Sequence, residues 1–178
     1  MRNDIERVLI SEEDIKIKIS ELAAKITADY KNKKLIVVTV LKGGFIFAAD
    51  LMRKIDLDVS IEFIAVSSYG ASSKSRGVVK IVKDLDHDVN GKNILIVEDI
   101  VDSGLTLNYL KKLLVGRGVN DIKICTILNK PSRRKTDIKI DYIGFDIPDE
   151  FVVGYGLDYA ERYRSLPYIG VLKKSIYE

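Results

Sequence analysis

Ile94-Leu95-Ile96-Val97-Glu98-Asp99-Ile100-Val101-Asp102-Ser103-Gly104-Leu105-Thr106-Leu107 passes from β-type apolar residues through three carboxylates into a short polar turn and then a helical pattern. The order is strand, loop and helix start. A helix that begins near Gly104 leaves backbone N–H groups without intrahelical partners and presents a positive dipole end. The hydroxyls of Ser103 and Thr106 add donors at the same place, so the backbone from Ser103 through Gly104 and Leu105 to Thr106 suits a phosphate monoester. Gly104 permits close approach of the ligand to the backbone. Glu98 and Asp99 stand at the carboxyl end of the strand, where open α/β sheets bind their ligands. Two adjacent carboxylates there can accept hydrogen bonds from the paired hydroxyls of a ribose. Asp102 is left over, nearer the reacting end.

On the N-terminal side, Ser11-Glu12-Glu13-Asp14 reads as a helix cap, followed by Ile15, Ile19, Leu22, Ala23 and Ile26 at helical spacing, which predicts a helix to about Tyr30. Leu35 to Leu41 is a continuous apolar run, the mark of a strand covered on both faces, and Lys42-Gly43-Gly44 breaks it before a helical stretch to about Lys54. Val59 to Ser68 is a second strand. Tyr69 to Gly77 has almost nothing to bury and is either a loose connection or an active-site lid. Val78 to Lys83 resumes β character, and the turn at Asn90-Gly91 leads into the central strand, expected over Asn93 to Val97.

On the C-terminal side, Leu105 to Gly116 predicts a helix and Ile122 to Leu128 another buried strand. Asp141 to Phe145, Phe151 to Tyr155 and Tyr168 to Leu172 are short strands that look like a small attached subdomain. Alternating strands and helices argue for a parallel α/β sheet. The expected organisation is one domain over 1–178, with a core over about 10–140 and a hood over about 141–178.

With 47% hydrophobic and 31% charged residues in 178, the chain has an ordinary globular composition, long enough to build a core without staples. A net charge of +3, with scattered basic residues, gives no footprint for nucleic acid or a membrane. The one cysteine, Cys125, lies in an apolar run and reads as a buried, inert thiol. The charged N-terminus lacks an apolar signal core, and no run approaches a membrane span, so the expectation is a cytoplasmic protein. His87, in the acidic turn Asp84 to Asp88, reads as a solvated loop residue.

Two further sites carry chemistry. The glycines of Lys42-Gly43-Gly44 expose successive N–H groups and Lys42 adds charge, a combination able to hold a diphosphate. Lys130 follows the strand ending at Leu128, and Phe151-Val152 opens a late strand. A purine needs a flat apolar face and polar groups at its edge: Phe151 can stack, Lys130 can donate to a 6-oxo group and the Val152 carbonyl can accept.

The central stretch resembles the phosphoribosyl diphosphate (PRPP) signature of type I phosphoribosyltransferases. Leu41-Lys42-Gly43-Gly44 resembles the diphosphate loop of the hypoxanthine-guanine members, in which the bond before the Lys can be cis or trans, a choice the sequence does not show. Ile147-Pro148-Asp149-Glu150-Phe151-Val152-Val153-Gly154-Tyr155-Gly156-Leu157-Asp158-Tyr159, with Arg164 six residues beyond Asp158, looks like the base-binding and magnesium-binding end of the same purine salvage enzymes. The motifs near 42, 69, 98–106, 130, 151–158 and 164 stand in family order, so the resemblance covers nearly the whole chain.

The resemblance implies a type I phosphoribosyltransferase fold: a central parallel sheet flanked by helices, a hood built from the chain ends, and a flexible lid at Ser68 and Tyr69. It implies transfer of the 5-phosphoribosyl group of PRPP to N9 of hypoxanthine or guanine. Asp102 would be the general base toward N7, and Glu98 and Asp99 would hold the ribose hydroxyls or their magnesium ion. Ser103, Gly104, Leu105 and Thr106 would cradle the 5-phosphate. Lys42, Gly43 and Arg164 would hold diphosphate, Lys130, Phe151, Val152 and Asp158 the purine, and Asp158 a second Mg²⁺. The family also places an Arg after the purine Lys; Arg133 and Arg134 both qualify. It further implies a homo-oligomer, dimer or tetramer. Two other readings stay open: a PRPP-sensing nucleic-acid-binding regulator on the same fold, and a phosphoribosyltransferase for another base. A dinucleotide-binding dehydrogenase is disfavoured, because Gly-x-Gly-x-x-Gly after a strand is missing.

Overall fold

The apolar runs become the strands of one sheet and the amphipathic segments cover its two faces. The structure, a computed structural model, describes residues 1–69 and 78–178. The elements are β1 (Ile5–Ile10), α1 (Glu12–Asp29), β2 (Leu35–Leu41), α2 (Phe45–Met52), β3 (Val59–Tyr69), β4 (Val78–Lys83), β5 (Asn93–Val101), α3 (Leu105–Gly116), β6 (Asp121–Asn129), β7 (Tyr142–Asp146), β8 (Val152–Val153), β9 (Ile169–Leu172) and α4 (Lys174–Tyr177). Ser11 caps α1, its hydroxyl accepting from the Asp14 N–H at 3.1 Å, an interaction that stabilises such a helix by about 1 kcal/mol.

The main sheet has the order β4-β3-β2-β5-β6-β7, parallel throughout except for the antiparallel β3–β4 pair. Side chains of β5 alternate between two cores. Leu95 and Val97 pack with α1 and α2, while Ile94 and Ile96 pack with Leu107, Leu110 and Leu114 of α3. Burial on both faces is what a continuous apolar strand requires, and each such side chain contributes roughly 1.5–3 kcal/mol on leaving water. From β2 the chain proceeds to β3 on one side, and from β5 to β6 on the other. The carboxyl ends of β2 and β5 therefore flank the point where the strand order reverses, the place where open α/β sheets form a ligand crevice.

A second sheet, β1-β9-β8, is antiparallel and joins the two ends of the chain. Val153, Tyr163, Leu166 and Leu172 form its core, with Ile5, Tyr159, Tyr168, Ile176 and Tyr177 packed against it.

Three expectations change. The central strand does not stop at Val97: β5 leaves β2 after the Val97–Thr39 pair but stays paired with β6 as far as Val101–Asn129, so Glu98 and Asp99 lie within a strand. Pairing to one neighbour suffices to keep this polar stretch extended. The segment expected to open the hood near 141 is β7, which pairs with β6 in the main sheet, because Tyr142 and Phe145 find their partners on the core side. The N-terminal part of the chain-end hood is a strand the sequence did not signal, β1, whose charged Ile5-Glu6-Arg7-Val8 pattern hides pairing along only one edge. The expected lid is only partly within the described residues: Ser68 and Tyr69 end β3, paired to Val79 and Val78 of β4, and residues 70–77 lie outside.

Among the described residues no helix is long and apolar enough to cross a membrane. Cys125 is buried, and burial pushes its thiol pKa up, so it is an inert core residue. His87 projects into solvent with Nδ1 against Glu62 Oε1.

Candidate active site

The reversal point holds a cleft of about 250 Å³ lined by Gly43 from the loop after β2, Glu98 to Val101 from β5, and Asp102, Ser103, Gly104, Thr106 and Leu107 from the turn into α3. Gly104 takes a left-handed conformation, φ +79°, which turns the chain sharply from strand to helix. The first helical hydrogen bond of α3 runs from Asn108 N–H to Gly104 carbonyl, 2.9 Å, so the N–H groups of Leu105, Thr106 and Leu107 precede the intrahelical ladder. The Leu105 side chain is exposed to solvent, outside the cleft lining. A Cβ on Gly104 would stand 2.8 Å from Thr136 Oγ1 and 3.2 Å from Arg134 Cδ, so the turn packs tightly on the segment after Lys130.

The carboxylates differ sharply in environment. Glu98 is 9% exposed, and burial first, then the neighbouring Asp99 charge, pushes its pKa well above the ordinary carboxyl range. Asp99 accepts from the Ile100 N–H at 2.8 Å and faces Gly43, where an added Cβ would fall 1.6 Å from Asp99 Oδ2. Asp102 Oδ1 is enclosed and has no hydrogen-bond donor among the described residues. Arg133 Nε lies 3.0 Å from it, near enough for an ion pair but out of hydrogen-bond alignment. An enclosed carboxylate oxygen without a donor keeps acceptor capacity for an N–H or O–H of a ligand.

The raised Glu98 pKa has a consequence for stability. A carboxyl whose pKa is higher folded than unfolded supports the fold fully below its unfolded value, about pH 4.3, and that support is lost as pH rises through the raised folded value. Glu98→Gln is neutral at every pH. It is expected to melt above the wild type at pH 8 in metal-free buffer, by about 2–4 °C for each kcal/mol of removed penalty in a chain of this length, and by less at about pH 5. Melting curves across that range check this; a difference that does not grow with pH counts against it.

The loop after β2 carries the second group. The Leu41–Lys42 peptide is cis, a choice the sequence left open. Gly156, at φ +100°, packs so closely that a Cβ there would meet the Gly43 carbonyl at 2.2 Å, which brings the Phe151 to Asp158 segment against this loop. Tyr155 reinforces the junction, its hydroxyl donating to Asp50 of α2 at 2.6 Å. Lys42 pairs with Glu161 at 3.1 Å, and Arg164 pairs with Asp158 at 2.8 Å and Glu161 at 3.5 Å. Both cations expected to hold diphosphate thus rest on carboxylates.

Lys130 is 8% exposed rather than free in solvent. Its Nζ donates to the Glu150 carbonyl at 2.6 Å and lies 3.9 Å from Asp149, and its N–H donates to the Val101 carbonyl at 2.9 Å, which ties it to β5. Phe151 is half-exposed and Val152 buried beside it in β8. The two arginines separate: Arg133 reaches Asp102 and, at 3.3 Å, Asp149, whereas Arg134 turns to the side chain of Asn129.

The cleft therefore gathers Gly43, Glu98, Asp99, Asp102, Ser103, Gly104 and Thr106, while Lys42, Lys130, Phe151, Asp158 and Arg164, on loops, and Val152, in β8, stand outside its lining. Among the described residues no group of three His, Cys, Asp or Glu side chains is placed to hold a metal, so Asp158 does not join Glu98 and Asp99. Separate carboxylates suit Mg²⁺, which takes one or two of them together with ligand phosphates and water. Sequence reasoning missed Glu161, Asp149, Glu150, Arg7 and Tyr177. Glu161, three residues before Arg164, could have been found from its charge within the same turn. The Arg7–Glu150 pair, in which Arg7 Nη2 donates to Oε1 at 2.7 Å and Oε2 at 2.5 Å, joins residues 143 apart, which no local pattern signals.

The family described as "Phosphoribosyl transferase domain" matches residues 9–160. The chain is 58% identical to the curated hypoxanthine-guanine phosphoribosyltransferase of Bacillus subtilis (strain 168), across 100% of this chain and 99% of that protein. A crystal structure of a hypoxanthine phosphoribosyltransferase from Staphylococcus aureus superposes with a TM-score of 0.97 at 50% identity, covering 100% of this chain and 97% of that one. A hypoxanthine phosphoribosyltransferase from Trypanosoma cruzi, solved as a ternary substrates complex, gives 0.93 at 40% identity over 99% and 100% of the two chains.

Proposed function

Given that the chain belongs to the phosphoribosyl transferase family, we infer that it is a purine salvage enzyme. It transfers the 5-phosphoribosyl group of PRPP to hypoxanthine or guanine, giving IMP or GMP and diphosphate. Full-length identity of 58% to an enzyme of that name supports the purine assignment. The single observation that carries the chemistry is the enclosed Asp102 Oδ1 without a donor among the described residues, two residues before the cap of a helix N-terminus suited to phosphate.

The N–H groups at the start of α3 and the hydroxyls of Ser103 and Thr106 bind the 5-phosphate and fix the ribose above β5. Asp99, with Glu98 behind it, accepts from the ribose hydroxyls. Lys130 exchanges its contact with the Glu150 carbonyl for the 6-oxo group, Phe151 stacks on the ring, and the Val152 carbonyl accepts from its edge. As the bond from C1′ to diphosphate breaks and that from N9 to C1′ forms, positive charge spreads over sugar and base. Asp102 takes the proton from N7. Lys42 and Arg164 leave Glu161 and Asp158 to meet the departing diphosphate, with the Gly43 N–H beside them.

Asp158 on one side, and Asp99 with Glu98 on the other, are the residues that would hold Mg²⁺, whose charge offsets that of the diphosphate leaving group when bound. The small-molecule partners are PRPP and the purine. The site belongs to a cytoplasmic enzyme that works as a homo-oligomer, dimer or tetramer.

The test is a steady-state assay with PRPP and Mg²⁺ in which hypoxanthine, guanine, xanthine, adenine and uracil are offered separately. Turnover of hypoxanthine or guanine, abolished by chelation and restored by Mg²⁺, is the expected result. PRPP binding without turnover of any base would overturn the enzyme reading in favour of a PRPP-sensing regulator.

A further inference from the structure

Phe151 is the only aromatic ring among the proposed purine contacts, and at 37% exposure it stands at the mouth of β8 rather than in the core. A ring so placed exchanges between rotamers unless neighbours fix it. Two neighbours are themselves aromatic. Tyr177 lies nearly parallel to it, centroids 4.7 Å apart and planes at 21°, and Tyr159 meets it edge-on at 5.6 Å and 88°. Offset stacking and the T-shape are the two arrangements that ring quadrupoles favour. With one face against Tyr177, Phe151 keeps one face for a flat ligand.

Tyr177 is the penultimate residue, yet it is not a loose end. It belongs to α4, which packs with Ile176 on the hood core of Val153, Tyr163, Leu166 and Leu172. Just before it, the Lys173 N–H donates to the Asp4 carbonyl at 2.9 Å and Lys173 Nζ to the Asn3 carbonyl at 2.7 Å. The first residues of the chain thus hold the last helix, and the last helix presents an aromatic ring to Phe151.

We propose that Tyr177 is a positioning residue for the purine: its ring backs one face of Phe151 and, with Tyr159 at the edge, fixes Phe151 so that the opposite face stacks on the base. This inference rests on the reading of Phe151 as the stacking residue. Fixing the ring before the ligand arrives removes an ordering cost from binding. PRPP meets none of these rings in that reading, so the effect falls on the base alone.

The experiment measures KM for hypoxanthine, guanine and PRPP in Tyr177→Ala, Tyr177→Phe and Tyr177→Leu, with Phe151→Ala alongside and a melting curve for each. Tyr177→Ala should raise the purine KM about three- to tenfold, the range expected from losing one aromatic pair, and leave the PRPP KM within about twofold. Tyr177→Phe, which keeps the ring, should restore the wild-type value. Tyr177→Leu keeps apolar cover on the hood and so the fold, and should behave like Ala because a flat face is missing. If Tyr177→Leu retains the wild-type purine KM, or if the purine and PRPP KM rise together, Tyr177 only supports the hood and the inference is overturned. A raised purine KM in Phe151→Ala with none in Tyr177→Ala overturns this inference and leaves the stacking role standing. An unchanged value in Phe151→Ala overturns both.

Discussion

Asp102→Asn is expected to lower kcat about 10²- to 10⁴-fold, the usual worth of a positioned general base, with the KM for PRPP changed far less. The amide matches the carboxylate in shape and cannot accept the N7 proton. The loss should be confined to the reaction because the structure asks little else of this side chain: Oδ1 has no hydrogen-bond donor among the described residues, and Arg133 keeps Asp149 at 3.3 Å when its 3.0 Å pairing with Asp102 is weakened. A steady-state comparison at saturating PRPP and hypoxanthine, with melting curves to show that the variant is folded, is the check. A variant that keeps kcat within about tenfold would remove Asp102 from the role of base.

Gly43→Ala is expected to be nearly as damaging for a different reason. A Cβ at this position would fall 1.6 Å from Asp99 Oδ2 and 2.4 Å from Asp99 Cγ, so either the carboxylate or the loop after β2 must move. The loop has little room to retreat, since the Gly43 carbonyl already lies against Gly156. Displacing a substrate-positioning group by about 1 Å costs on the order of 10²-fold in rate, and the overpacking itself should cost about 1–3 kcal/mol of stability. Weakened PRPP binding by titration, together with kcat/KM down about 10²-fold, is the expected result. Gly116→Ala is the control: it sits at the last position of α3 with nothing within 4 Å of the added carbon, and should leave activity intact. Wild-type activity in Gly43→Ala would mean that Asp99 does not serve the ribose from the position seen here.

The two predictions draw on different sources. The place of Asp102 in the cleft was legible because β5, the turn and α3 are contiguous. The clash at Gly43 was not legible. Gly-Gly after a strand marks a turn in any protein, and only the parallel pairing of β2 with β5 brings the loop at 43 to the carboxylate at 99. Lys130 lies between: its place after a strand was visible, but its burial and its bond to the Glu150 carbonyl depend on a loop twenty residues on. β1 escaped notice because a strand at the edge of a small sheet needs no continuous apolar run; Ile5-Glu6-Arg7-Val8 shows neither an apolar run nor a period of two, and Val8 is exposed.

By itself the sequence determined the elements and their chemistry. Continuous apolar runs dictate strands covered on both faces, stripes at helical spacing dictate α1 and α3, and a Ser-Gly turn dictates where α3 begins, because each of these rests on interactions within a few residues. What only the tertiary structure decided is which distant groups meet: Gly43 with Asp99 and Gly156, Arg133 rather than Arg134 with Asp102, Lys42 with Glu161, and Tyr177 with Phe151. Those meetings follow from strand order and from the joining of the two chain ends in β1-β9-β8. Strand order and that joining are set by the burial of whole faces against one another, a property of the assembled cores that no local stretch of residues contains.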